Sequence, residues 1–257
     1  MSKSDFNCAF NLTGQNTLVT GGGTGLGFGM ARCLVAAGAK VILVGRHKEK
    51  LDKACVTLGK NSFALAGDVT KLGTIPDLVK QAEKLAGPIS ILINNAGIHL
   101  KKDAVETSDA EFASVMQTHV SGAFALTREV ARGMIKREGG SILFIASMAS
   151  LFGIPKIVAY ATAKIAYVGL VRSLAVEWGQ SGVRVNAIAP GWIHSGMSAK
   201  ALDGDPVRKA KVLGRTPMNH FGEADDIGWA AVYLCSPAAK FVTGVVLPVD
   251  GGAAIGF

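Results

Sequence analysis

Three side chains near the middle of the chain have the types and the spacing of a proton-transfer site. Ser147 follows residues 142–146, a short apolar run that predicts a β-strand. Tyr160 comes thirteen residues later and Lys164 four residues after it, in an alanine-rich segment that predicts a helix. Residues i and i+4 lie side by side on a helix, and a cation within about 4–6 Å lowers the pKa of an acid. We therefore expect Lys164 to make Tyr160 a proton donor or acceptor near neutral pH.

A tyrosine and a lysine at this spacing are usually an ordinary helical pair, and a serine after a strand can simply cap a turn. The surrounding elements therefore decide whether these three residues are catalytic or purely structural. Residues 17–20 predict a strand and residues up to about Ala37 a helix, with a glycine-rich loop between them. Glycines there permit positive φ angles and let the backbone approach a pyrophosphate, which the free N–H groups at a helix start attract. This unit predicts a dinucleotide site at Gly21, Gly23, Thr24, Gly25, Leu26 and Gly27.

Five motifs in this order resemble the short-chain dehydrogenase/reductase family, from about Leu12 to Gly252. They are the glycine loop, Asn94-Asn95-Ala96-Gly97 after a predicted strand, Ser147, the Tyr160 and Lys164 pair, and Pro190-Gly191 after another strand. The resemblance implies hydride transfer between a nicotinamide cofactor and a carbonyl or secondary alcohol. It also implies one α/β domain over residues 1–257, a doubly wound (Rossmann) parallel sheet of seven strands with helices on both faces. The alternation of predicted strands and helices indicates the same class.

The resemblance assigns a role to each motif residue. Tyr160 would donate the proton, Ser147 would bind the same substrate oxygen, and Lys164 would hold the nicotinamide ribose as well as lower the Tyr160 pKa. Asp68 would contact the adenine, although a helix cap ahead of Lys71 explains it equally well. Further cofactor contacts are implied at Val69, Asn95, Ala96, Gly97, Pro190, Gly191, Ile193 and Ser195.

The end of the second predicted strand, residues 41–44, indicates the cofactor. A carboxylate there would bind the free ribose 2′-hydroxyl of NAD, but the sequence continues Gly45-Arg46-His47-Lys48. The guanidinium of Arg46 can bind a 2′-phosphate in a forked, charge-assisted geometry, which favours NADP(H) over NAD(H). Thr24 argues the other way, because many NADP-preferring relatives carry a second basic residue in the glycine loop.

His119 is the clearest departure from the family pattern. Ser108 and Glu111 predict a capping box at the start of a long helix whose inward face includes His119 and Phe124. Most relatives have an asparagine at this position, which completes the catalytic set. We therefore count His119 as a candidate catalytic residue, with a merely buried histidine as the alternative. The departure also leaves open a cofactor-binding sensor without turnover.

Composition limits the remaining classes of function. The net charge of +8 suggests nucleic-acid binding as one possible function. The basic residues are spread out, however, and their densest cluster, residues 46–53, contains Glu49 and Asp52 and no aromatic residue, so no nucleic-acid partner is expected. The four cysteines lie far apart with no histidine at ligand spacing, so we expect free thiols and no metal. With no apolar run of membrane-span length and no signal-peptide core, a cytoplasmic protein is expected, with residues 1–11 as an N-terminal extension. By resemblance it forms a homotetramer through the helix of Tyr160 and the preceding helix.

The substrate is expected to be a small molecule. The sequence as a whole resembles gluconate 5-dehydrogenase-like and sugar-alcohol dehydrogenases. His99, His194 and Lys101 offer polar contacts at the pocket mouth, and residues from about 195 to 214 predict a substrate lid. A 3-oxoacyl thioester (acyl-carrier-protein) reductase shares every core motif and stays the alternative. A serine hydrolase is excluded, because the sequence has no Gly-x-Ser-x-Gly motif.

Overall fold

The computed structural model describes residues 6–194 and 205–256. Their strands are β1 Asn16–Thr20, β2 Lys40–Gly45, β3 Ser62–Ala66, β4 Ile91–Asn94, β5 Gly140–Ile145, β6 Val183–Pro190 and β7 Val246–Val249. All pair in parallel, in the order β3-β2-β1-β4-β5-β6-β7. The strand order reverses between β1 and β4, which confirms the doubly wound α/β prediction. The crevice outside the carboxyl ends of such strands is where these sheets bind ligands.

Helices cover both faces of the sheet. They are a short α1 Phe6–Ala9, α2 Gly25–Ala36, α3 Lys48–Leu58, α4 Ile75–Ala86, α5 Asp109–Met116, α6 Ala123–Lys136, α7 Val158–Trp178, α8 Pro206–Arg215 and α9 Ala224–Cys235. Strand residues alternate between the faces: Ile42 and Val44 pack with α4, α6 and α7, whereas Val41 and Leu43 pack with α2, α3 and α9. Both faces are therefore buried, as the apolar strands require.

A π-helical segment, Gln117–Gly122, joins α5 to α6. The predicted capping box is present at the start of α5, where Ser108 Oγ accepts the Glu111 N–H and the Glu111 carboxylate accepts the Ser108 N–H. A π turn holds more residues than an α turn, so the residues after it are rotated relative to an uninterrupted helix. The inward prediction for Phe124 is wrong, since the residue is 36% exposed, whereas Ala123, Thr127, Val130 and Met134 are buried as predicted. His119 lies within the segment and is buried, as predicted.

Two short elements lie at the borders of the described ranges. α1 lies in the predicted N-terminal extension, and the ring of Phe10 packs against Tyr233 of α9 with centroids 6.4 Å apart. α8 falls in the second half of the predicted lid, whose residues 195–204 lie outside the described residues. None of the described helices combines the length and the apolar character needed to cross a membrane.

Candidate active site

The three predicted catalytic residues meet at the carboxyl edge of β5. The strand ends at Ile145, and Ser147 follows in extended conformation, where its Oγ accepts the Ala149 N–H at 3.1 Å. The serine therefore caps a short 3₁₀ turn, as the simpler interpretation predicted, but its hydroxyl also lies near that of Tyr160 and lowers the pKa of the phenol. Tyr160 lies in the first turn of α7 and is half-buried. One strand-to-helix connection thus brings both hydroxyls together.

Lys164 lies one turn further along α7 and is only 4% exposed. Its Nζ donates to the Ile145 carbonyl oxygen at 2.6 Å and lies 5.4 Å from the ring centroid of Tyr160 and 4.8 Å from that of Tyr167. Within residues 6–194 and 205–256, no carboxylate forms an ion pair with it. Burial lowers the pKa of Lys164 to about 7. The ammonium is therefore surrounded by a carbonyl dipole and two aromatic rings.

The pKa of Tyr160 lies above its ordinary value, opposite to the lowering that the sequence predicted. Burial raises it, and the neighbouring Ser147 hydroxyl lowers it as a lesser effect. The Lys164 ammonium lies over the tyrosine ring and donates to the Ile145 carbonyl rather than to the phenol oxygen. The phenol is therefore protonated at neutral pH, which suits a proton donor.

His119 reaches the same site from the π segment and is 1% exposed. Its ring meets the ring of Tyr160 edge-on, with centroids 5.5 Å apart. Its Nε2 lies 2.8 Å from the carbonyl oxygen of Ile98 and 3.1 Å from the backbone nitrogen of Ile98, while Nδ1 has no hydrogen-bond partner in the described chain. Burial, and then the nearby Lys164, lower the pKa of His119 to about 3. The imidazole is therefore neutral, and its unpartnered Nδ1 faces a buried site.

The glycine loop has the geometry of a phosphate cradle. Gly21 and Gly25 have positive φ angles of 65° and 55°. Thr24 is the N-cap of α2 but makes no capping bond through its side chain, and the first turn of α2 carries no acidic residue, so its N–H groups can bind an anion. A Cβ on Gly27 would lie 2.2 Å from the carbonyl oxygen of Gly21, so the helix packs this closely only because residue 27 is glycine. Behind the loop, the Asn95 side chain donates to the Gly21 carbonyl at 3.3 Å.

A cleft beside the loop contains most of the predicted adenosine contacts. Asp68 accepts the Thr70 N–H at 2.9 Å, which lowers the pKa of its carboxyl, and the nearby Arg46 lowers it further. Asp68 therefore both caps a turn and lines the cleft. The predicted residues on the cleft wall are Gly21, Gly23, Thr24, Arg46, Asp68, Val69, Ala96 and Gly97. The wall carries a guanidinium at the end of β2 and no carboxylate there, so these residues fit a nicotinamide dinucleotide with a 2′-phosphate.

Two cleft residues, His47 and Lys50, were missed by the sequence analysis. Lys50 lies in the first turn of α3, whereas Arg46 precedes the helix, so their spacing in the sequence does not place them on one helical face. A Cβ on Gly23 would lie 3.5 Å from the carbonyl carbon of Lys50, which places the glycine loop directly against the start of α3.

The other predicted cofactor residues follow β6. Pro190 ends that strand, and Gly191 packs so closely on Asp250 that a Cβ would lie 2.5 Å from the Asp250 Cα. Ile193 is buried and forms a bridge with Gly222. Ser195 lies outside the described residues.

The predicted substrate residues separate into two groups. The His99 ring lies 5.0 Å from the Tyr160 ring and so belongs to the site. His194 is exposed, and in the described chain its side chain makes no hydrogen bond or ring contact with Ser147 or Tyr160. Lys101 is exposed on a separate cleft. The described residues contain no group of three or more side chains that could hold a metal.

Comparison with known proteins agrees with this geometry. A family model described as enoyl-(acyl carrier protein) reductase matches residues 20–254. The chain is 40% identical over 251 residues to galactitol 2-dehydrogenase (L-tagatose-forming) of Cereibacter sphaeroides, covering 96% of this chain and 98% of that protein. It is 39% identical over 227 residues to an inactive 2-(S)-hydroxypropyl-CoM dehydrogenase 2 of Xanthobacter autotrophicus, covering 87% and 98%.

The fold agrees as well. The crystal structure of a gluconate 5-dehydrogenase from Burkholderia cenocepacia, in complex with NADP and tartrate, superposes with a TM-score of 0.93 at 31% identity, covering 98% of this chain and 100% of that one. The chain belongs to the short-chain dehydrogenase/reductase family. It is an NAD(P)-dependent oxidoreductase acting on carbonyl or secondary alcohol groups.

Proposed function

We propose that the protein is an NADP-dependent dehydrogenase/reductase of a sugar, a sugar acid or a polyol. The observation that carries the proposal is the meeting of Ser147, Tyr160 and Lys164 at the carboxyl edge of β5. The sugar class is supported by the galactitol and gluconate dehydrogenases to which the chain is similar. His99, beside Tyr160, adds a polar ring that suits a hydroxylated substrate.

The reaction follows from what each side chain can donate. When bound, NADP supplies or takes up the hydride at its nicotinamide ring. In reduction, the protonated Tyr160 hydroxyl gives its proton to the substrate oxygen, and the Ser147 hydroxyl donates a hydrogen bond to the same oxygen. Lys164 uses one N–H on Ile145, and its two other donors are available for the nicotinamide ribose. In oxidation the same groups act in reverse.

The start of α3 supports the preference for NADP. Arg46 and Lys50 line the cleft at the positive end of a helix dipole, where cations are unfavourable. Lys48 is paired with Asp52, but Lys50 has no ion pair in the described chain. A dianionic phosphate in the cleft would relieve this repulsion. Lys50 thus supplies the second cation that the glycine loop lacks.

Arg46→Ala is expected to weaken NADPH binding by about tenfold to a hundredfold, because a charge-assisted hydrogen bond contributes roughly 1.5–3 kcal/mol. Lys50→Ala should weaken it less, because an ammonium is a point charge without the forked geometry with which the Arg46 guanidinium can bind a phosphate. NADH affinity should barely change in either variant. Fluorescence titration of the free enzyme with both cofactors measures this.

Lys48→Ala is the matched control, since Lys48 lies in the same helical turn and is already paired with Asp52. It should leave both affinities near those of the wild type. A wild-type protein that binds NADH more tightly than NADPH would contradict the cofactor assignment.

His119 is proposed to take part through its neutral ring. His119→Asn is expected to keep activity, because the amide also offers a donor and an acceptor, whereas His119→Phe should lower kcat by about tenfold or more if a polar atom is needed there. Steady-state kinetics of both variants, with circular dichroism to confirm folding, makes the comparison. Equal activity in the two variants would identify His119 as a packing residue.

The alternative of a cofactor-binding sensor is motivated by the same residue and by the similarity to an inactive relative. It would be supported by a wild type that binds NADPH but turns over nothing, together with a His119→Asn variant that gains turnover.

A substrate panel tests the proposed function directly. Sugar acids, polyols and acetoacetyl thioesters are offered with NADPH or NADP and followed by nicotinamide absorbance. Turnover of a sugar acid or polyol is expected. Preferred turnover of the thioester would instead favour the 3-oxoacyl thioester reductase, which shares the same catalytic residues.

Three further points stay part of the proposal. The chain forms one domain over residues 1–257, and it forms a homotetramer through α6 and α7, whose outer faces expose Phe124, Val158, Ile165 and Val176. The protein is cytoplasmic, in keeping with the thiols of Cys33, Cys55 and Cys235, which form no disulfide. Light scattering measures the subunit number, and cell fractionation the location.

A further inference from the structure

We propose that Tyr167 is a positioning residue whose ring, together with that of Tyr160, forms an aromatic box that keeps the Lys164 ammonium charged and in place. The inference deepens the proposed function and rests on it, because Lys164 serves the reaction there. Tyr167 follows Lys164 by three residues and Tyr160 by seven on α7, so the three side chains share one face of the helix.

The aromatic box compensates the positive charge of the buried Lys164 ammonium. A buried cation without an anion is costly unless its surroundings compensate it. Lys164 has one hydrogen bond, to the Ile145 carbonyl, and no ion pair within the described residues. Its Nζ lies 4.8 Å from the Tyr167 centroid and 5.4 Å from the Tyr160 centroid, both inside the roughly 6 Å over which a ring face attracts a cation. Such attraction is strongest where water is excluded, and Tyr167 is fully buried.

Among the described residues, the hydroxyl group of Tyr167 makes no contact that would account for a tyrosine at this position. It is buried and has no hydrogen-bond partner in the described chain, which is unfavourable relative to phenylalanine. The ring makes the contacts, with Lys164, with Phe144 at 5.0 Å and with His119 at 6.4 Å between centroids. The contribution that we assign to Tyr167 therefore belongs to its ring.

In the described chain, no other charged group faces the Lys164 ammonium and could stabilise it in place of the Tyr167 ring. The titratable groups that face the ammonium are Tyr160 and Tyr167 on α7 and His119 on the π segment, and β5 contributes only the Ile145 carbonyl. Burial lowers the pKa of His119 to about 3 and raises the pKa of both tyrosines, so all three are neutral around pH 7. Removal of the Tyr167 ring should therefore lower the proton affinity of Lys164.

The test compares Tyr167→Phe, which keeps the ring, with Tyr167→Leu and the more flexible Tyr167→Met, which remove it. Two quantities are measured: the pKa of Lys164 by NMR of its Nζ in the cofactor-free protein, and the pH dependence of kcat for carbonyl reduction. In the Leu and Met variants the Lys164 pKa and the alkaline limit of kcat should both fall by about one pH unit, a roughly tenfold loss of proton affinity. Tyr167→Phe should keep the wild-type values.

Phe144→Leu is the matched control, because Phe144 is equally buried and packs on Tyr167. It should create a comparable cavity without shifting either quantity. An equal shift in Phe144→Leu, or an equal shift in Tyr167→Phe, would overturn the box. If the wild type reduces no substrate, the proposed function fails, and the NMR titration still decides the inference by itself.

Discussion

Tyr160→Phe is expected to lower kcat by about a hundredfold to ten-thousandfold, the usual contribution of a general acid, with cofactor affinity close to that of the wild type. The substitution removes only the hydroxyl, which is protonated at neutral pH and lies near that of Ser147. It keeps the ring that lies over Lys164 and beside His99 and His119. Single-turnover rates and NADPH fluorescence titration measure the two effects separately.

Tyr233→Phe is the control for this change, since Tyr233 packs on Phe10 rather than on the catalytic residues. It should behave as the wild type. If Tyr160→Phe retained activity within about tenfold of the wild type, another group would have to supply the proton.

Lys164→Met should lower both kcat and cofactor affinity, kcat by about a hundredfold or more and affinity by about tenfold. Both quantities should fall, because the amine packs over the ring of Tyr160 and is also the donor proposed for the nicotinamide ribose. Kinetics and NADPH titration of the purified variant measure it. Affinity unchanged from the wild type would remove Lys164 from the cofactor site.

The same variant is expected to be more stable than the wild type without cofactor at pH 7. Burial lowers the Lys164 pKa from its ordinary value of 10.5 to about 7, so the unfolded chain binds this proton more tightly than the folded one. The penalty on folding is complete below pH 7 and disappears as the pH rises toward 10.5. The loss of the hydrogen bond to Ile145 offsets part of the gain. Thermal unfolding at several pH values should show a Tm difference that is largest near pH 7 and narrows above it; a constant difference would contradict this account.

The meeting of Ser147, Tyr160 and Lys164 could be predicted from the sequence because short-range rules place these residues. Ser147 follows a strand whose apolar run is visible, and Tyr160 and Lys164 lie one turn apart on the next helix, so local structure brings them together. The Gly-rich loop was predictable for the same reason, since the strand and the helix on either side define its geometry.

The directions in which side chains point, which tertiary packing determines, could not be predicted from the sequence. The i, i+4 spacing says that Lys164 is near Tyr160, but not that Nζ turns to the Ile145 carbonyl and that burial then decides both pKa values. The π segment has no signal in the apolar periodicity, which predicted an uninterrupted helix. Lys50 was missed because its part in the cleft depends on how α3 packs against the glycine loop.

The fit between Gly97 and His119 makes the order of mutations matter. A Cβ at residue 97 would lie 2.2 Å from Cε1 of the His119 ring, so any larger residue at 97 collides with a buried imidazole that has no room to retreat. A smaller side chain at 119 would remove this collision. In an evolving lineage, residue 119 must therefore shrink before residue 97 can grow, and two positions twenty-two apart in the chain are historically dependent on each other.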